Sequence, residues 1–101
     1  MITITRQFTR PSIDIPWHHD ALPFEEFKLK RQVYMHLRKL VSHTITYSED
    51  GLQMFYEGVW ASQKDHDEFT AETDLAPIRD LRNAYNKSVG IKVGPKIGTL
   101  I

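Results

Sequence analysis

The sequence predicts an α+β fold of the ferredoxin-like kind, βαββαβ, with the second helix broken in two and a four-stranded antiparallel sheet. Three observations carry this expectation. The opening segment "ITITRQF" alternates apolar and polar residues with the two-residue period of a half-buried strand. Two further strand-like runs, "VSHTITYSE" and "LQMFYEGVWA", are joined across a glycine turn, which makes them an antiparallel hairpin. Helical periodicity fills the intervals on both sides of that hairpin.

In the first strand Ile2, Ile4 and Phe8 share one side, and Thr3, Thr5, Gln7 and Thr9 the other. Prolines at 11, 16 and 23 follow, each lacking a ladder donor, so the strand ends or bulges at Pro11. Phe24 to Leu40 is rich in helix formers, and Phe27, Leu29, Val33, Tyr34, Leu37, Leu40 and Val41 fall in one arc of a helical wheel. Glu26 and Lys30 interrupt this arc as an i,i+4 pair, either solvated or lining a pocket. Asp20 is placed to cap the first helix.

The hairpin turn "EDGL" offers Gly51, which tolerates positive φ. Its second strand is apolar on both faces, with Met54, Tyr56 and Trp60 on one and Phe55, Val59 and Ala61 on the other. Ser62 then reads as an N-cap with Asp65 in the capping-box position, opening a short helix that carries Phe69 inward. In "KDHDEF" the two aspartates complement the positive helix end, which accounts for them without a metal and leaves His66 an exposed or rim residue. A second helix begins after Asp74, with Pro77 in its first turn, Leu75, Ile78, Leu81 and Tyr85 in a stripe, and Gly90 as its stop. "IKVGPKIGTLI" is a glycine-interrupted last strand.

At 101 residues the chain is read as a single domain, 1–101, and a domain of this size buries only about two-thirds of the surface its unfolded form exposes. Thirteen basic residues balance thirteen acidic ones, so no bulk attraction to nucleic acid or to an anionic membrane is expected. The absence of Cys excludes disulfides, a thiolate nucleophile and thiolate metal sites. The start "MITITRQ" has neither the basic nor the apolar part of a signal peptide, and no apolar run is long enough to span a membrane, so a cytoplasmic protein is expected. A strand apolar on both faces calls for cover on the helix-free side of the sheet, and the economical cover is a second copy, a homodimer through the open sheet face.

The stretch "SEDGLQMFYEGVWASQKDHDEF" resembles the signature hairpin of the dimeric α+β barrel superfamily, the antibiotic-biosynthesis monooxygenase-like proteins. Trp60, Ser62 and Phe69 carry the resemblance, with the order of elements over nearly the whole chain. It implies two sheets paired face to face into a barrel. "TRPSIDIPW", with the same turn and Trp-x-Ser, is also similar to small uncharacterised proteins of marine phages and bacteria, a likeness that implies no activity. Within the superfamily, cofactor-independent oxygenases bind a phenol or quinol between sheet and helices, and a haem-degrading branch uses an Asn, a Trp and a His. Here Arg6 or Gln7, Phe69 and Arg79 take those places, and Arg cannot ligate iron as His does. No cofactor is therefore expected.

The groups that reach toward such a cavity are Arg6, Trp17, His18, Tyr34, Tyr56 and Trp60 as ligand-binding candidates, with His43 as the candidate catalytic base. His18, His19 and Asp20 are adjacent, a poor spacing for one ion, and no metal site is expected. "VGPKIG" lacks the following helix a phosphate loop needs. The sheet shows no basic cluster with aromatics of the RNA-binding type. Two functions follow as expectations: a small-molecule-binding or structural homodimer, or a cofactor-independent monooxygenase-like enzyme acting on a small aromatic compound, with His43 as base and Arg6 or Tyr56 orienting it.

Overall fold

A computed structural model describes residues 1–100. Strand β1 (Ile2–Thr9) is followed by a one-turn helix α1 (His18–Ala21), helix α2 (Glu25–His36) and the hairpin strands β2 (Leu40–Tyr47) and β3 (Gln53–Trp60). Then come α3 (Gln63–Thr70), a 3-10 turn (Thr73–Leu75), α4 (Ala76–Val89), and the short strands β4 (Lys92–Val93) and β5 (Ile97–Leu100). The sheet runs β2-β3-β1-β4, and β5 continues along the same edge of β1. All pairings are antiparallel, so the expected ferredoxin-like order holds with the last strand interrupted at its glycine-proline segment.

Local chemistry sets the turns. Gly51 has φ 73° in the hairpin turn, where Asp50 accepts from Ser48 Oγ at 2.6 Å and from the Leu52 amide at 3.0 Å. Ser62 accepts from the Asp65 amide at 3.1 Å and donates its hydroxyl to the Asp65 carboxylate at 2.9 Å, a reciprocal cap on α3. Gly90 ends α4 in the left-handed conformation.

The pairing of Ile2 with Trp60, Arg6 with Tyr56 and Phe8 with Met54 puts these residues on one face of the sheet, under the helices. Ile2, Ile4, Phe24, Phe27, Tyr34, Leu40, Trp60, Phe69, Leu75 and Ile78 form the main core there. A smaller cluster of Phe8, Trp17, Met54 and Ile91 closes the far end. The opposite face carries Thr3, Thr5 and Gln7 beside the half-buried Val59 and Phe55, with no helix over it.

The helices are rolled differently from the sequence expectation. Of the expected arc, Phe27 and Tyr34 are buried from α2 and Leu40 from the start of β2, while Leu29, Val33, Leu37 and Val41 are exposed. The aromatic rings win the inward positions because they stack edge-on against Phe69 at 5.7 and 5.2 Å. The helix also stops at His36, since Arg38 turns the chain with φ 61° into β2. Lys30 leaves Glu26 and bonds instead to Asp74 at 2.9 Å and Glu72 at 3.6 Å. Leu81 is likewise exposed, and Asp20 lies within α1 rather than capping α2.

Candidate functional site: a cationic cavity between sheet and helices

Between the helix-facing side of the sheet and helices α1, α2, α3 and α4 lies a cavity of about 330 Å³. Its apolar wall is aromatic, contributed by Phe24 and Phe27 from the α2 side, Tyr56 and Trp60 from β3, and Phe69 from α3. These rings are locked to one another, with Trp60 and Phe69 at 5.3 Å and Phe24 and Phe27 at 5.6 Å. Both the rigid wall and the volume suit a small aromatic molecule.

The polar wall is cationic. Arg6 projects from β1, Arg31 from α2, and Arg79 and Arg82 from successive turns of α4, with Lys96 from the segment between β4 and β5. Arg79 is tied down by a 2.8 Å bond from Nη2 to the Phe69 carbonyl. Arg31 lies over the rings of Phe27 and Tyr56, 5.4 and 4.9 Å from their centroids. The Nε atoms of Arg6 and Arg31 are buried with no hydrogen-bond partner among the described residues. Burial, then the neighbouring Arg6, Arg79 and Arg31, push the Arg82 guanidinium down to about 10. Burial does the same in direction for Arg6, and for Lys96, where Arg6 and Arg82 add to it.

Three histidines, His18, His19 and His66, line the cavity among these cations, and two of them are buried. His18 is buried against Phe8, ring centroids 4.8 Å apart, and its Nδ1 lacks a partner among the described residues. Burial, followed by Arg82 and His19, holds its imidazole down to about 3, against the opposing Asn86 amide. His66, expected at the rim, is buried instead, edge-on to Trp60 at 5.2 Å, with Nδ1 3.2 Å from Asp67 Oδ1. It sits on the inner side of α3 because the reciprocal cap at Ser62 and Asp65 fixes where the helix begins against β3. Burial lowers its pKa as well, with the Asp67 bond opposing.

Of the residues singled out in the sequence, Arg6, His18, Tyr56 and Trp60 meet in this cavity. Trp17 does not line it; it packs in the second cluster with the Arg10 guanidinium 4.5 Å above its ring. Tyr34 is also outside, donating its hydroxyl to Glu72 at 2.7 Å. His43 stands behind the wall, exposed, its ring stacked on Tyr56 at 6.0 Å and 25°. Arg31, Arg82, His66 and Lys96 were not anticipated. The available signal was an arginine pair, Arg79 and Arg82, inside the apolar stripe of α4.

At the place the resemblance gives to the haem-ligating His, Arg79 offers a guanidinium bonded to a backbone carbonyl, a poor fit to that group. Among the described residues no three His, Asp or Glu side chains converge to hold a metal ion.

Neither a family model nor a curated protein matches this sequence. Solved structures do. SnoaB, a cofactor-independent oxygenase from Streptomyces nogalater, superimposes with a TM-score of 0.63 at 16% identity, over 99% of this chain and 91% of that one. The chain has the fold of these oxygenases. A Deinococcus radiodurans protein proposed to be an antibiotic biosynthesis monooxygenase matches with a TM-score of 0.60 at 8% identity, covering 100% and 92% of the two chains. An Agrobacterium tumefaciens protein gives 0.54 at 14% identity, over 100% and 91%. At these identities the likeness is one of fold.

Proposed function

We propose that this chain binds a small aromatic molecule in the cavity between sheet and helices, as one half of a homodimer joined through its open sheet faces. The observation that carries the reading is the 330 Å³ space with a preformed aromatic wall on one side and a few convergent polar groups on the other. Such a cavity is expensive to maintain without an occupant, since filling it with side chains would add stability. The helix-free face, with Phe55, Val59 and Ile97 among threonines, supports the dimer.

A cofactor-independent oxygenase is the second reading, and the fold shared with SnoaB favours it. The cavity's own residues then divide the work. His66, whose Nδ1 is held by Asp67, is the group placed to take a phenolic proton, Arg6 faces the anion left behind, and His18, held down to about 3, is too weak a base for that step. His43 stands outside the cavity, stacked on the Tyr56 ring, and takes no direct part in this reading.

Titration with naphthalene-2-carboxamide, followed by its fluorescence, tests the first reading. One site per chain is expected, abolished by Ile45→Trp, which fills the cavity from β2, with the circular dichroism spectrum preserved. Absence of saturable binding, or binding unaffected by Ile45→Trp, overturns it. Oxygen uptake in the presence of a naphthol and no added cofactor selects the second reading; no uptake leaves a binding protein.

A further inference from the structure

We infer that the natural ligand is an aromatic acid, bound as its anion, with the negative group against Arg6 and Arg82 and the ring against Phe27 and Tyr56. This rests on the cavity-binding reading and adds the charge of the ligand to it.

The argument begins with how the charges are sorted. The chain is neutral overall, thirteen basic against thirteen acidic residues. Around the cavity the balance is broken: Arg6, Lys28, Arg31, Arg79, Arg82 and Lys96 line it, against the single carboxylate of Asp20. That carboxylate is engaged with His19 at 3.6 Å. The remaining acids are deployed elsewhere. Glu68, Glu72 and Asp74 lie on the outer side, paired with Lys39 and Lys30 at 2.8 to 3.6 Å. None of the four cavity arginines has a carboxylate within salt-bridge distance among the described residues.

Partly buried charges are normally paired, because desolvation without a counter-charge costs several kcal/mol by order of magnitude. Here four guanidiniums, none of them exposed, share one space and repel each other. Burial first, and then that repulsion, depress the basicity of Arg82 and Lys96. Orphaned donors point the same way: Arg6 Nε and Arg31 Nε are buried and unmatched by any acceptor of the described residues. A ligand that brings acceptor oxygens and negative charge satisfies both defects at once.

The ring of the ligand is argued from the opposite wall. Phe24, Phe27, Tyr56, Trp60 and Phe69 leave an apolar side that a bare inorganic anion would not use. Arg31, lying over both Phe27 and Tyr56, marks the boundary between the two halves.

An isosteric pair of probes, naphthalene-2-carboxylate and naphthalene-2-carboxamide, separates charge from shape by calorimetric titration of the wild-type chain at low salt. The carboxylate is expected to bind roughly tenfold or more tightly, the equivalent of a charge-assisted hydrogen bond. In Arg6→Gln/Arg82→Gln that advantage is expected to disappear; Lys87→Gln, on the exposed end of α4, keeps it. Equal affinity of the two probes for the wild-type chain overturns the inference and leaves the cavity reading standing. Failure of both to bind overturns the cavity reading itself. Should the double variant not fold, thermal shift of the wild-type chain by the two probes decides alone: an equal rise in melting temperature refutes the inference.

Discussion

The Arg31 guanidinium lies 4.9 Å from the centroid of the Tyr56 ring, and His43 stacks on the same ring at 6.0 Å. A helix cation, a strand tyrosine and a strand histidine thus form one assembly across the cavity wall. Arg31 acts on both ring residues: it adds to the burial that lowers the His43 pKa, and opposes the burial that raises that of Tyr56. In Arg31→Gln the His43 pKa is therefore expected to move upward, toward 6.5, as read from imidazole NMR shifts across a pH titration. An unchanged His43 titration means that Arg31 and His43 are not coupled across Tyr56.

Tyr34 tests the boundary of the site. It is buried to 2% exposure, its hydroxyl donates to Glu72 at 2.7 Å, and its ring meets Phe69 edge-on at 5.2 Å. Removal of the hydroxyl in Tyr34→Phe leaves the packing and loses a bond to a carboxylate, expected to cost about 1–2 kcal/mol in urea unfolding. Because Tyr34 does not line the cavity, naphthalene-2-carboxamide should bind as in the wild-type chain. A large loss of affinity with unchanged stability would place Tyr34 in the site after all.

These contrasts show which features the sequence makes legible. Gly51, Gly90 and the pair of Ser62 and Asp65 act through their own backbone neighbours, and each turn or cap follows from its local chemistry. The alternation of Ile2, Ile4 and Phe8 fixes a strand face for the same reason, since period two leaves no other choice. Helix roll is different. The apolar arc of helix α2 is wide, so the choice between its Phe27 edge and its Leu29 edge as the inward side is made by Phe69 and Trp60, distant in sequence. The same holds for α4, where Arg82 faces the cavity and Leu81 faces out. The arginine cluster is therefore hidden from periodicity: its members come from three separate segments, β1, α2 and α4, and meet only when the helices dock.

Acid sensitivity should report His18. Its pKa is held at about 3, below the 6.5 of an ordinary imidazole, by burial and then by Arg82, His19 and Arg6, with the Asn86 amide opposing. Since the folded value is depressed, the unfolded chain binds the proton first. The stabilising contribution is complete above 6.5 and is lost as the pH falls toward 3. His19, His43 and His66 shift in the same direction. The shifted carboxylates, Asp50, Asp67, Glu68 and Asp74, all move downward, so their contribution is complete above the ordinary carboxylate range and is lost only at a pH below the histidine range. Unfolding free energy is expected to fall between pH 7 and 5, by at most ~1.4 kcal/mol per pH unit for each histidine. In His18→Gln the fall should be shallower by about 1–2 kcal/mol at pH 5, measured by urea titration at the two pH values. Parallel curves for the two proteins would remove His18 as the sensor.

The open face of the sheet leads to the last prediction. Register places Val59 between Thr3 and Ser42, Phe55 between Gln7 and Thr46, and Ile97 beside Thr5, all on the side without helices. Val59 and Phe55 are only half-buried by their strand neighbours, and Ile97 is 56% exposed. Three apolar side chains among short hydroxyl residues make a surface flat enough for a second sheet, and Glu57 is its one carboxylate from β3. Sedimentation at micromolar concentration should give a dimer. Phe55→Lys/Val59→Lys places two like charges against their own symmetry mates, and should raise the dissociation constant by about a hundredfold or more while leaving the monomer folded. A wild-type chain that sediments as a monomer contradicts the face-to-face arrangement. A double variant that remains a dimer puts the interface elsewhere, and the exposed row of Leu29, Val33 and Leu37 on α2 is then the surface to mutate next.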